Sequence, residues 1–70
     1  MINYEPFWTT MKEKNVTTYA LINKYRISSR TIHSLRHNRG LNVYTLGRLC
    51  KILDCTPNEV VSFDDDEEEF

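Results

Sequence analysis

Ser29, Arg30, His33 and Ser34 lie in the stretch SSRTIHSLRHNR, from Ser28 to Arg39, and all four can donate hydrogen bonds. Wound as a helix, this stretch sets Arg30, His33, Ser34 and His37 along one side, at three- and four-residue spacing. Ile32 and Leu35, three apart, fall on the other side. A guanidinium such as that of Arg30 can bond guanine O6 and N7 together, a contact worth roughly 1–3 kcal/mol of discrimination. The plainer alternative is a solvated or phosphate-bound arginine. The hydroxyls of Ser29 and Ser34 are short and reach a base only closely or through water. His33 and His37 also have the spacing of a two-ligand metal pair. A site usually needs three or more protein ligands, and no acidic or cysteine residue stands nearby in sequence, so no metal is expected. A short helix docked by one face and donor-rich on the other fits the major groove of DNA.

The elements that position this face follow from pattern. A first helix is predicted from about Glu5 to Lys14, with Pro6 in its first turn, where a missing N–H is no loss. Phe7 and Met11 share a face, beside Trp8. A second helix runs from about Thr18 to Lys24 behind Thr17 as N-cap, with Leu21, Ile22 and Tyr25 as its inner face. The turn Tyr25-Arg26-Ile27 leads to Ser28, the cap of a third helix from about Ser29 to His37. Asn38-Arg39-Gly40 ends it with turn-type residues. Leu41 plugs the core from the loop. Asn42 caps a fourth helix, Val43 to Leu53, in which Leu46, Leu49, Cys50 and Leu53 have the spacing of a buried stripe. Thr56-Pro57-Asn58-Glu59 carries the cap, proline and carboxylate of a helix start. A short fifth helix ending near Phe63 is therefore expected, and no strand.

Charge divides the chain in two. Residues 1–63 hold nine Lys and Arg against Glu5, Glu13, Asp54 and Glu59, a surplus of five positive charges. Six consecutive acids, Asp64 to Glu69, bring the 70-residue chain to −1. The expected organisation is one domain over 1–63 and an acidic disordered tail over 64–70. A basic compact domain favours a polyanionic partner. No apolar run of about 18 residues and no basic-then-apolar leader is present. Two cysteines, Cys50 and Cys55, make no disulfide framework, so a reduced, cytoplasmic setting is the default expectation. Cys50 falls on the buried stripe, where thiols are usually inert. There is no nucleophile–base pair and no phosphate-cradling glycine loop, so neither an enzyme nor a cofactor is expected.

This order of parts resembles the Cro/C1-type (XRE-like) DNA-binding domains, in particular the small single-domain bacterial and phage regulators. The resemblance covers about Phe7 to Phe63. It is carried by Thr17 at the cap of helix two, Leu21, Ile27-Ser28 closing the turn, and Ile32 with Leu35 in the recognition helix. Thr45-Leu46, Leu49-Cys50-Lys51-Ile52-Leu53 and Cys55 match the pattern of helix four. Three residues depart from the family's habit: Ile22 where Ala is common, Arg26 where Gly is common, and Thr18 where Gln is common. Ile22 implies a wider helix crossing. Arg26 implies either a turn without positive φ or a strained one.

The resemblance implies an all-α, five-helix, lambda-repressor-like fold with its helix-turn-helix at helices two and three. It implies base contacts from Ser29, Arg30, His33 and Ser34, and phosphate contacts from Thr18, Ser28, Arg36, His37, Asn38, Arg39 and Asn42. Lys12, Lys14, Lys24, Arg48 and Lys51 are expected to be ordinary surface charges. The implied function is a transcriptional regulator, most simply a repressor, bound to double-stranded DNA as a homodimer on a palindrome. Helix five, Phe63 and Tyr44 are the expected dimer surface. The competing reading is an antitoxin-like or antirepressor module of the same fold, with a protein partner for its acidic tail.

Overall fold

The computed structural model describes residues 1–64. The expected acidic tail lies outside them except for Asp64. Among the described residues there are four α-helices: α1 (Glu5–Glu13), α2 (Thr18–Asn23), α3 (Ser29–Arg36) and α4 (Val43–Leu53). They are flanked by two short strands, β1 (Ile2–Asn3) and β2 (Ser62–Phe63), and followed by a 3-10 turn at Pro57–Glu59. One core joins them, built from Tyr4, Phe7, Met11, Leu21, Ile27, Ile32, Leu35, Leu49, Leu53 and Val60. Leu41 packs against that core from its loop, as do Leu46 and Cys50 from α4.

The expected caps form. Thr17 accepts a hydrogen bond from the Ala20 N–H at 3.1 Å, Ser28 from that of Thr31 at 3.2 Å, and Asn42 from that of Thr45 at 2.7 Å. Each satisfies an N–H that the first helical turn leaves without a partner.

The expected fifth helix is not formed, and its place explains why. The start signal itself works: the Thr56 N–H donates to Glu59 Oε1 at 2.9 Å. These bonds to Thr56 hold the Glu59 carboxyl below its ordinary pKa. The contribution of this box is therefore present at neutral pH and fades as pH falls through the carboxylate range. After one turn, however, Val60 enters the core with no exposed surface. Ser62–Phe63 then pairs antiparallel with β1, in the register Ile2↔Phe63 and Asn3↔Ser62. The Asp64 N–H continues the ladder to the Met1 carbonyl at 2.8 Å. Backbone groups must find partners somewhere. Here the start of the chain supplies them, so the segment is extended rather than helical. Ile22 is a second correction. It was expected on the inner face of α2, but it is 38% exposed, while Leu21 beside it is fully buried.

All four helices end in a left-handed residue, and none of the four is glycine: Asn15, Arg26, Asn38 and Asp54 have φ of 60°, 62°, 55° and 53°. After α1, α3 and α4 the following residue closes the end by donating its N–H back into the helix. These bonds are Val16 to Met11 O at 2.9 Å, Arg39 to Ser34 O at 2.9 Å, and Cys55 to Cys50 O at 3.0 Å. After α2 the closure is wider, from the Ile27 N–H to Leu21 O at 2.9 Å. Asn and Asp tolerate this conformation, but Arg26 meets its steric penalty of about 1–2 kcal/mol. Of the two alternatives that Arg26 left open, the positive φ is the one adopted. Arg26→Gly should therefore raise stability by about 1 kcal/mol, or about 4–8 °C in Tm for a domain of this size. A thermal melt showing no gain would mean that Arg26 is held by interactions that offset its strain.

Candidate nucleic-acid interface

Helix α3 is buried on one side only. Leu35 is fully buried and Ile32 nearly so. Ser29, Arg30, His33 and His37 are exposed, and Ser34 is half-buried. The His33 and His37 rings lie against each other, centroids 4.2 Å apart and planes tilted by 42°. Arg26 and Arg39 are also exposed, one in the turn before α3 and the other in the loop after it. Among the described residues, no group of three or more His, Cys, Asp or Glu could hold a metal ion.

The structure gives several of the expected phosphate-contacting residues a second occupation. The Ser28 hydroxyl is the cap of α3, and the Asn42 side-chain oxygen is the cap of α4. The Asn38 side-chain oxygen accepts from the Tyr4 N–H at 3.0 Å. The guanidinium carbon of Arg36 lies 5.4 Å from the centroid of the Trp8 ring. Trp8 itself stands edge-on to Phe7, 4.8 Å between centroids. Thr18 is half-buried at the start of α2. The nitrogen of Asn42 and that of Asn38 can still donate outward, because only their oxygens take these roles.

Two charges expected to be ordinary surface residues serve the scaffold. The Arg48 guanidinium donates to the Tyr25 carbonyl at 3.1 Å, and Lys14 Nζ to the Asp54 carbonyl at 3.4 Å. Each reaches a carbonyl at a helix end, where backbone acceptors lack intrahelical partners. No periodicity marks such residues, because the partner lies 23 or 40 positions away. The part Tyr4 plays is invisible to periodicity for the same reason. Its hydroxyl donates to the Arg39 carbonyl at 2.6 Å across 35 positions. A cleft of about 320 Å³ runs between the start of α1 and the end of α3, lined by Asn3, Glu5, Trp8, Leu35, Arg36 and Asn38.

The two helices and their turn, with a donor-bearing exposed side on the second, form a helix-turn-helix. The profile of the Cro/C1-type HTH DNA-binding domain matches residues 7–66. The chain belongs to that family. Residues 7–66 therefore make up a helix-turn-helix DNA-binding domain. The fold is also that of the transcriptional regulator VanUg, known from a crystal structure. The two superpose with a TM-score of 0.79 at 18% sequence identity, over 87% of this chain and 81% of VanUg. None of the curated proteins matches the chain. Among the described residues, no helix is long and apolar enough to cross a membrane.

Cys50 and Cys55 lie half-buried at the end of α4, both free. Burial is the main cause that pushes each thiol above its ordinary pKa. The thiolate is the reactive form, so both should be mostly protonated at neutral pH. Alkylation by iodoacetamide at pH 7.5 should run well below the rate for the unfolded chain and recover as pH rises. Equal rates in folded and unfolded protein would show that the end of α4 opens readily.

Proposed function

We propose that the protein is a sequence-specific transcriptional regulator that places α3 in the major groove of double-stranded DNA. One observation carries this reading. The helix buries Ile32 and Leu35 and leaves Arg30, His33 and His37 outward, with nothing apolar between them. In this reading Arg30 bonds guanine, and Ser29, His33 and Ser34 touch neighbouring bases directly or through water. Thr18, Ser28, Arg36, His37, Asn38, Arg39 and Asn42 hold the backbone on either side, which fixes register without reading sequence. VanUg, which shares the fold, is itself a transcriptional regulator.

One short domain reads few base pairs. A two-fold dimer on a palindrome, with recognition helices about 34 Å apart, meets the need for a longer site. Tyr44 and Phe63, 77% and 75% exposed, are the apolar side chains we assign to that contact. Bound across a promoter, such a dimer acts as a repressor by occupancy alone.

Selection from randomised duplexes tests the reading directly. It should return one preferred, two-fold symmetric sequence, and recovery of no sequence above background would refute the proposal. On that site, Arg30→Ala should cost about 1–3 kcal/mol in binding and much less on random duplex. Equal losses on both would place Arg30 among the phosphate contacts. Arg39→Ala should weaken both and lower the slope of log K against log salt by about 1. An unchanged slope would remove Arg39 from the phosphate contacts.

A further inference from the structure

Tyr4 lies outside the helix-turn-helix, yet it meets the exit of α3 at two points. Its hydroxyl donates to the Arg39 carbonyl at 2.6 Å, and its backbone N–H donates to Asn38 Oδ1 at 3.0 Å. We propose that Tyr4 is a positioning residue for DNA binding: by holding the Asn38 side chain and the Arg39 carbonyl, it fixes the turn after α3 in the conformation from which the Arg39 guanidinium meets a phosphate. This inference rests on the reading of α3 and Arg39 given above.

Three features make Tyr4 suited to that task. First, Tyr4 is itself immobilised. Its side chain is 2% exposed within the core. The residues before it are paired in the β1–β2 ribbon, and its own carbonyl accepts from the Phe7 N–H at 2.9 Å as α1 begins. Second, the segment it holds needs holding. Asn38 is left-handed, and the loop from Asn38 to Gly40 is exposed, so the helix-closing bond from Arg39 to Ser34 would act with little packing behind it. Third, the phenol is a dependable donor: a tyrosine hydroxyl keeps its proton at neutral pH, and burial only moves its titration further up. The Trp8 ring, on α1, lies beside Arg36 at the same end of α3. A flexible arginine must be ordered on binding. Fixing its backbone beforehand removes part of that cost.

Tyr4→Phe removes the hydroxyl and keeps the ring in the core. The variant should fold, with the circular dichroism of the parent, and bind the preferred duplex several-fold more weakly. Its salt slope should fall toward that of Arg39→Ala. Adding Arg39→Ala to it should cost clearly less than in the parent, since the two changes remove one contact. Thr10→Val, which deletes the buried bond from Thr10 Oγ1 to the Glu59 carbonyl, serves as a control of lowered stability and should leave affinity and slope unchanged. Should Tyr4→Phe not fold, Tyr4→Met fills the core position with a flexible apolar side chain, lacks the hydroxyl and enters the same cycle with Arg39→Ala. Unchanged affinity and slope, or losses that simply add, would overturn the positioning role while leaving DNA binding intact. Failure of the parent protein to bind any duplex would instead overturn the functional reading, and this inference with it.

Discussion

The arrangement depends on α3 being held by one face. Ile32 and Leu35 supply the apolar surface that anchors the helix, and burying a side chain of this kind contributes about 1.5–3 kcal/mol. That anchoring orients the remaining residues of the helix, because α-helical geometry leaves no freedom between one face and the other. A polar residue at position 35 would leave the core without a central contact. An apolar residue at position 30 or 33 would leave the core intact and change only the outward chemistry.

The second constraint is how each helix stops. A domain of this size cannot spend residues on long loops, and the left-handed residues lie within one to three positions of the helix ends. Asn15, Asn38 and Asp54 are residue types that accept this backbone with little penalty. Arg26 is not, and it sits in the turn that joins the two helices of the DNA-binding unit. Arg48 from α4 bonds the carbonyl of Tyr25, immediately before that strained residue. The turn is thus supported from outside the helix-turn-helix. Neither glycine takes part in any of these ends, since positive φ occurs at neither Gly40 nor Gly47.

Much of the scaffold was legible in the order of residues. The caps at Thr17, Ser28 and Asn42 are local signals, and each closed on a partner three positions away. The spacing of Ile32 with Leu35, and of Leu46, Leu49, Cys50 and Leu53, is helical periodicity read without knowing what packs against it. Ile22 was misplaced because it adjoins Leu21, and an adjacent apolar pair does not say which member faces inward. The last segment was misassigned because Thr56-Pro57-Asn58-Glu59 is an authentic helix start. That local preference held for one turn and then yielded to the pairing with Ile2–Asn3.

The sequence by itself determined the one-sided third helix, the capped starts and the basic character of residues 1–63, because each depends on residue type and on neighbours within a turn. Only the tertiary structure decided that Ser62–Phe63 is a strand, that Arg48 and Lys14 serve helix ends, and that Tyr4 holds Asn38 and Arg39. Those contacts join residues 23 to 61 positions apart in the chain. No spacing rule reaches across such distances, because what brings the partners together is the closure of the core around Phe7, Leu21, Leu35 and Leu49.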